Sequence, residues 1–351
     1  MQKPPIPLFK ILIAVVGLLI VLETQVHPQG APGKPYSDLF DINNPFELDL
    51  IFDFKQFQKA KNTEEFMDAM IIYKNQEGAT LEKKVEIRAR GNVRKQICYL
   101  PPIRIDFSEE DYGIDLFNDL GKVKLVSTCE KASINEQWLI KEFLAYKIYE
   151  ILTDISFKTY FLKINFVDSQ DNKKPFTSYS FILEDIDDVA KRHNAVEIEN
   201  QGLIPANMDR PTMNLFSMYQ YLISNVDWHI PNLHNVKLIK SLDHHIPAPM
   251  PIPYDLDYCG LVNTNYAVPR EGLPLETVKD RYWIGNCLED AEYEEIIQLF
   301  LDKKEEILKL FEDCEFLEKF SMTASLRYIN EFYDLIEKGD QAKYTILKSC
   351  N

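Results

Sequence analysis

The spacing of apolar and polar positions divides the chain into two unlike halves. Lys84-Val-Glu-Ile-Arg-Ala-Arg90, Ile103-Arg-Ile-Asp-Phe107 and Lys122-Val-Lys-Leu-Val126 place apolar side chains at alternate positions. A period of two is that of a half-buried β-strand. Residues 46–57 and 66–74 carry apolar-aromatic patches of strand type, and Thr159–Val167 and Ser178–Leu183 predict two more strands. Among them lies Asn135–Leu152, where Trp138, Leu139, Phe143, Leu144, Tyr146, Ile148 and Ile151 recur near helical spacing. Past a junction near Glu184–Lys191, helical patterns dominate, over Met213–Val226, Glu292–Phe311 and Glu315–Lys338. No longer repeat is visible, which removes solenoids and propellers.

Composition narrows the function classes. The chain has 351 residues, 46% hydrophobic and 27% charged, enough apolar material for a core and too much for disorder. Its 39 Lys+Arg against 55 Asp+Glu give a net charge of −16, which argues against broad nucleic-acid binding, since phosphate backbones are held by clustered cations. With 12 glycines, a glycine-rich phosphate loop has little to draw on.

Lys3 and Lys10 precede the apolar run Ile11–Leu22. That run fits the apolar region of a signal segment and is shorter than the ~20 residues of a membrane span. Residues 1–30 are therefore expected to be a signal peptide or N-terminal anchor, and 31–40 a linker. A strand-rich part, 41–186, and a helical part, 187–351, follow. The expected location is exported (periplasmic, cell-surface or extracellular), with no stable membrane span beyond such an anchor. Cys98, Cys129, Cys259, Cys287, Cys314 and Cys350 form no C-x-x-C pair, so zinc-ribbon and thioredoxin readings fail. Disulfides and buried thiols both stay open. A Cys259–Cys287 bridge requires Cα atoms within about 7 Å.

The chemistry concentrates in residues 224–262. Asp227-Trp-His229-Ile-Pro-Asn232 ends a predicted helix; a β-type run, a loop and a second β-type run lead to Asp255-Leu-Asp257. Phosphoryl transfer needs a carboxylate to orient the acceptor hydroxyl, and hard oxygen ligands for a magnesium ion that spans the nucleotide phosphates. A hairpin after Asn232 would return Asp255 and Asp257 to Asp227. Three other readings compete. Asp and Asn also form turns for local reasons. His229, His234, His244 and His245 could bind a transition metal, although the i,i+4 helical spacing is missing. Asp255-Leu-Asp257 also resembles the Asp-x-Asp motif of haloacid-dehalogenase-type phosphatases, without the residue that usually follows it.

Asp227-Trp-His229-x-x-Asn232 followed by Asp255-Leu-Asp257 resembles the catalytic and metal motifs of atypical kinases, nearest the CotH-like group. Arg90-Gly91-Asn92 is similar to that group's Arg-Gly-Asn, Pro253-Tyr-Asp255-Leu-Asp257 to its Pro-Tyr/Trp-Asp-x-Asp, and Glu184 to its strand-borne glutamate. The resemblance covers about residues 84–262. It implies an α+β, bilobal protein-kinase-like fold, with a strand-rich N-terminal lobe carrying one long helix and a helical C-terminal lobe. It also implies an ATP- and Mg- (or Mn-) dependent kinase acting on a protein or glycan hydroxyl. Asp227 would be catalytic, and Asn232, Asp255 and Asp257 would hold metal. Arg90, Glu184, Lys124 and Glu142 would hold nucleotide, with Lys122 and Glu136 as alternates to the last two. In place of the group's Pro-Lys-Lys run this chain has Leu100-Pro-Pro-Ile-Arg104, and no G-x-G-x-x-G is present. The rival class is a non-catalytic kinase-like binding module at the cell surface.

Overall fold

The structure, a computed structural model, describes Met1 and residues 43–350 apart from 76, 92–94, 97, 99, 108–110, 114–116, 119 and 129–132. Apart from Met1, the expected signal segment and linker lie outside the described residues. No helix among the described residues is long and apolar enough to cross a membrane.

Alternating strands build the first half. β1 (Phe46–Phe52), β2 (Met67–Lys74), β3 (Thr80–Ala89), β4 (Ile103–Asp106), β5 (Lys122–Ser127), β6 (Thr159–Asp168) and β7 (Phe176–Leu183) form one sheet. Its order is β1-β2-β3-β4-β5-β7-β6, and it closes into a barrel. Closure comes from parallel pairing of β1 with β6, Leu48 opposite Ile164; all other neighbours run antiparallel. This corrects the bilobal kinase-like expectation: a closed seven-stranded mixed barrel replaces the strand-rich lobe. The strands themselves are where the alternation places them, but alternation does not say whether the first strand finds a distant partner. Inward side chains, among them Leu50, Ile71, Ile87, Ile105, Leu125, Ile164 and Ile182, fill the barrel as a packed core. Asp53 turns the chain out of β1 by accepting from the Gln56 amide at 2.8 Å, and caps a short helix α1 (Phe54–Ala60) where strand was expected.

Phe181, Ile182 and Leu183 are all buried, because β7 is covered on both faces: Ile182 points into the barrel, while Phe181 and Leu183 join the second core. That core forms around α2 (Ser133–Leu152), the long helix expected from the sequence, where Phe143 lies 4.9 Å from Phe161 and 5.7 Å from Phe181. α3 (Ile186–Arg192), capped by Asp185, leads to β8 (Ala195–Glu197) and α4 (Arg210–Ile223). β9 (Val236–Ser241) and β10 (Met250–Pro253) pair as a hairpin and, with β8, make a three-stranded sheet in the helical half. The single helix expected over Glu292–Phe311 is two, α5 (Asp290–Asp302) and α6 (Lys304–Glu312); α7 (Lys319–Ile336) and α8 (Asp340–Ile346) follow. The described residues from 43 to 350 belong to one compact unit.

Cys287 bridges Cys350 with Cα atoms 5.6 Å apart, Cys98 is also disulfide-bonded, and Cys259 and Cys314 are buried thiols. This eliminates the Cys259–Cys287 pair. Closing a separation of 63 residues restricts the unfolded chain, by a loop-entropy reckoning, by about 4 kcal/mol. A Cys287→Ser/Cys350→Ser variant is expected to unfold at lower urea by up to that amount. An unchanged midpoint would show that the bridge holds nothing.

Candidate functional site

α4 is buried from Thr212 to Ile223, its polar Asn214, Ser217 and Gln220 included, so its end is a fixed point inside the core. Ser224 stops the helix in the left-handed conformation, φ 49°. The Asn225 side chain accepts from the Asp227 amide at 3.0 Å, and the Trp228 indole donates to the Asn225 carbonyl at 3.2 Å. Trp228, 2% exposed, packs edge-on against Phe216 with centroids 4.8 Å apart. Asp227 thus leaves the core on a braced turn. Its Oδ2 accepts from Asn235 Nδ2 at 2.9 Å, and its Oδ1 lies 3.1 Å from His234 Nε2.

The β9–β10 hairpin then returns the chain, and the Tyr254 amide donates to the Asn235 carbonyl at 3.2 Å. Asp255 follows in the left-handed region, φ 56°, its amide donating to the Tyr146 hydroxyl at 2.8 Å. Asp257 is buried and accepts from the Tyr266 hydroxyl at 2.7 Å. The Gly260 and Leu261 amides pin the next residues to the Ser224 and Ile223 carbonyls, at 3.0 and 3.1 Å. Gly260 is required there by close approach: a Cβ would lie 2.5 Å from the Val278 carbonyl oxygen. Burial pushes the Tyr258 phenol above its ordinary pKa, and the charges of Asp257, Asp227 and Asp255 add to the rise.

A cationic cluster adjoins them. Lys124 and Arg104 face each other across β5 and β4, and the Lys124 ammonium lies 4.2 Å from the centroid of the Tyr254 ring. Burial holds Lys124 down to about 8; Arg90, Lys237 and Arg104 push the same way, and Asp185 opposes them. Arg104 pairs with Asp185 at 2.8 Å and Lys237 with Glu197 at 2.6 Å. The Nε groups of Arg90 and Arg104 are buried without a hydrogen-bond partner. Burial also pushes the Tyr254 phenol up; Arg90 and Lys237 lower it, while Asp255 and Glu142 raise it. Tyr254 thus joins the cationic group, through Lys124, to Asp255, its neighbour in the chain.

Several expected residues act on neighbouring tyrosines: Asp227, Asp255 and Asp257 raise the Tyr258 phenol, Arg90 and Glu142 act on the Tyr254 phenol, and Lys124 lies over the Tyr254 ring. Two others are engaged by partners of their own. Asn232 Oδ1 is already engaged by His229 Nδ1 at 2.9 Å and the His234 amide at 3.3 Å, inside its own turn. Glu184 accepts from the Lys158 amide at 2.8 Å and pairs with Arg192 at 2.9 Å, and no described bond joins it to Lys124. Of the alternates, Lys122 is an exposed partner of Asp106, and Glu136 bonds Tyr179 and Ser178. Gly91 takes φ 83°, as a turn after a strand requires; Asn92 lies outside the described residues.

Sequence reading missed Arg104, Asp185, Lys237, Asn235, Tyr258 and Tyr266. Arg104 had a signal, since it stands in a strand whose alternation is plain. The others are brought in by the hairpin and the barrel rim, which leave no local pattern. Among the described residues no group of three His, Cys, Asp or Glu side chains is arranged to hold a metal on its own. Magnesium usually keeps several waters and takes one or two carboxylates plus substrate phosphates. Asp257 and Asp255 fit that donor set; Asn232 does not. No protein-family model matches the chain, and no curated protein matches it.

Proposed function

We propose that the site binds a phosphorylated ligand of the nucleoside-triphosphate type and transfers its terminal phosphoryl group to a hydroxyl. One observation carries this reading: Lys124, with Arg104 opposite it on the next strand, lies 4.2 Å from the Tyr254 ring, and the Asp255-Leu-Asp257 carboxylates follow Tyr254 directly in the chain. Cations alone would suit any anion, and carboxylates alone any cation. Side by side they suit phosphates at one end and an acceptor hydroxyl, with a hard metal ion, at the other.

Arg90, Arg104, Lys124 and Lys237 would hold the phosphate oxygens. Magnesium, held by Asp257 and Asp255, would supply charge neutralisation. Asp227, fixed by His234 and Asn235, would accept the hydroxyl proton as the acceptor oxygen bonds to phosphorus and the bond to the nucleoside diphosphate breaks. Disulfides at Cys98 and Cys287–Cys350 support export to an oxidising compartment. A second reading, a non-catalytic polyanion binder, draws on the Asn232 oxygen being turned into its own loop.

Thermal-shift titration with ATP, with and without Mg²⁺, tests the proposal, since a ligand at 100 times its Kd stabilises by about 2.7 kcal/mol. Lys124→Met is expected to remove most of that shift, and stabilisation without phosphoryl transfer to any added hydroxyl acceptor would favour the second reading. The pH dependence has a definite sign. Lys124 binds as the ammonium, so affinity should be full below about 8 and fall as pH rises through that value, with proton uptake on binding. Stability of the free protein should move the other way. The folded-state pKa of about 8 lies below the ordinary 10.5, so the unfolded chain holds more protons between them and stability rises across that window. An ATP shift that does not weaken from about pH 7 to about pH 10 would exclude Lys124 as the anion contact.

A further inference from the structure

We infer that the three-stranded sheet of the helical half takes a further strand, an extended peptide of alternating basic and apolar residues that pairs with β8 in the groove beside α3. β8 ends the sheet order β10-β9-β8. The Leu242 amide donates to the Asn194 carbonyl at 2.9 Å and the Ile198 amide to the Leu238 carbonyl at 2.8 Å. Val196 lies opposite Lys240 between them. Bonding alternates along an antiparallel pair, so residues 194, 196 and 198 face β9, and the backbone N–H and C=O groups of Ala195 and Glu197 point away from it. Among the described residues nothing bonds those outward groups. They form an open sheet edge, the feature to which extended peptides add.

A groove of about 600 Å³ opens beside this edge, with Asp187, Ala190 and Lys191 of α3 on one wall and Val196 and Glu197 of β8 on the other. Val189 and Ala190 share a core with Ala195, which holds α3 against β8. Val196 is 45% exposed, and so is Leu242 at 56%, its amide tied to Asn194 on the same face of the sheet. Apolar side chains so placed are what a neighbouring strand covers. Charge selects the partner. Asp187 and Glu199 line the groove, are exposed, and have no hydrogen-bond or ion-pair partner for their carboxylates among the described residues. Glu197 is answered by Lys237 at 2.6 Å, and Lys191 is the one cation of the lining, which leaves the groove acidic. Lysine or arginine side chains at alternate peptide positions would meet Asp187 and Glu199, with the apolar residues between them over Val196. β8 has three residues, so backbone bonds alone would hold a peptide loosely, and the groove supplies the rest. The inference does not rest on the phosphotransfer reading, since a peptide can add to β8 whether or not the cationic cluster binds phosphate.

Fluorescence anisotropy of short labelled peptides, titrated with the full chain, tests this. A peptide alternating valine with lysine is expected to bind, and its valine–glutamate counterpart is not. Alternate amides of a strand point to opposite sides, and N-methylation blocks a backbone donor. Methylating one alternate set of peptide amides should therefore abolish binding, while methylating the other set leaves it unchanged. An Asp187→Lys/Glu199→Lys variant should bind the lysine peptide about tenfold more weakly. Both positions are exposed, and the thermal midpoint checks that the variant is folded. An equal effect of the two methylated sets overturns strand pairing. Binding of both charge types alike, binding unchanged in the double variant, or no binding at millimolar concentration also overturns the inference. A dimer of the chain that the lysine peptide dissociates would make a second copy the occupant of the edge and remove the peptide assignment.

Discussion

Asp257→Ala is expected to abolish the magnesium-dependent part of nucleotide binding while leaving the fold intact. The cations around Tyr254 are untouched by the change, so ATP without metal should bind as before. The gain on adding Mg²⁺ should fall by at least tenfold, about 1.4 kcal/mol. The Tyr266 hydroxyl loses a bond to a charged acceptor, so the variant should keep its fold but lose about 1.5–3 kcal/mol of stability. Calorimetric titration with ATP, with and without metal, gives the result; an equal loss in both conditions would place Asp257 in phosphate or fold support and end its assignment to metal.

Trp228→Ala should have the largest effect on stability. The indole is buried in a small core of its own with Met213, Phe216, Ile230, Val236 and Leu238, and its N–H is satisfied by the Asn225 carbonyl. Removing it leaves a cavity under the turn that carries Asp227, and losses of about 3–5 kcal/mol are usual for such a deletion. Urea unfolding measures the loss. Trp228→Phe should recover part of it, because much of the volume returns although the indole hydrogen bond does not. Since this core holds α4 to the loop and to β9, both variants should also weaken ligand binding at Asp227 in proportion to their loss of stability. A Trp228→Ala protein as stable as the parent would mean that the turn is held by Asp227's own partners, His234 and Asn235.

Local chemistry made much of this protein legible in the sequence. Period-two alternation identified three of the barrel strands, β3, β4 and β5, the last two nearly to their ends, because one face of each strand had to be buried and the side-chain period of a strand is fixed. Helical spacing gave α2 and most of α4 and α7 for the corresponding reason. Asp and Asn at 227, 232, 255 and 257 marked the candidate segment, where the structure places a hairpin, β9–β10, between the two pairs. The limits also have physical causes. Asp53 ended β1 early because a side-chain cap competes with continued strand, and the expected helix divides at Lys303 although the apolar spacing runs through it.

Tertiary structure alone decided the rest. Barrel closure depends on β1 finding β6, a pairing more than a hundred residues away that alternation does not encode. The same closure brought Arg104 of β4 opposite Lys124 of β5, and the hairpin brought Lys237 and Tyr254 to them, so the cationic cluster exists only in the folded chain. Asn232 and Glu184 had the right residue types, but nearer partners claimed them, His229 and His234 for one and Arg192 for the other. A sequence determines which groups a chain can offer; their distances to competing donors, charges and water are properties of the packed molecule, and those distances decide which groups are left to act.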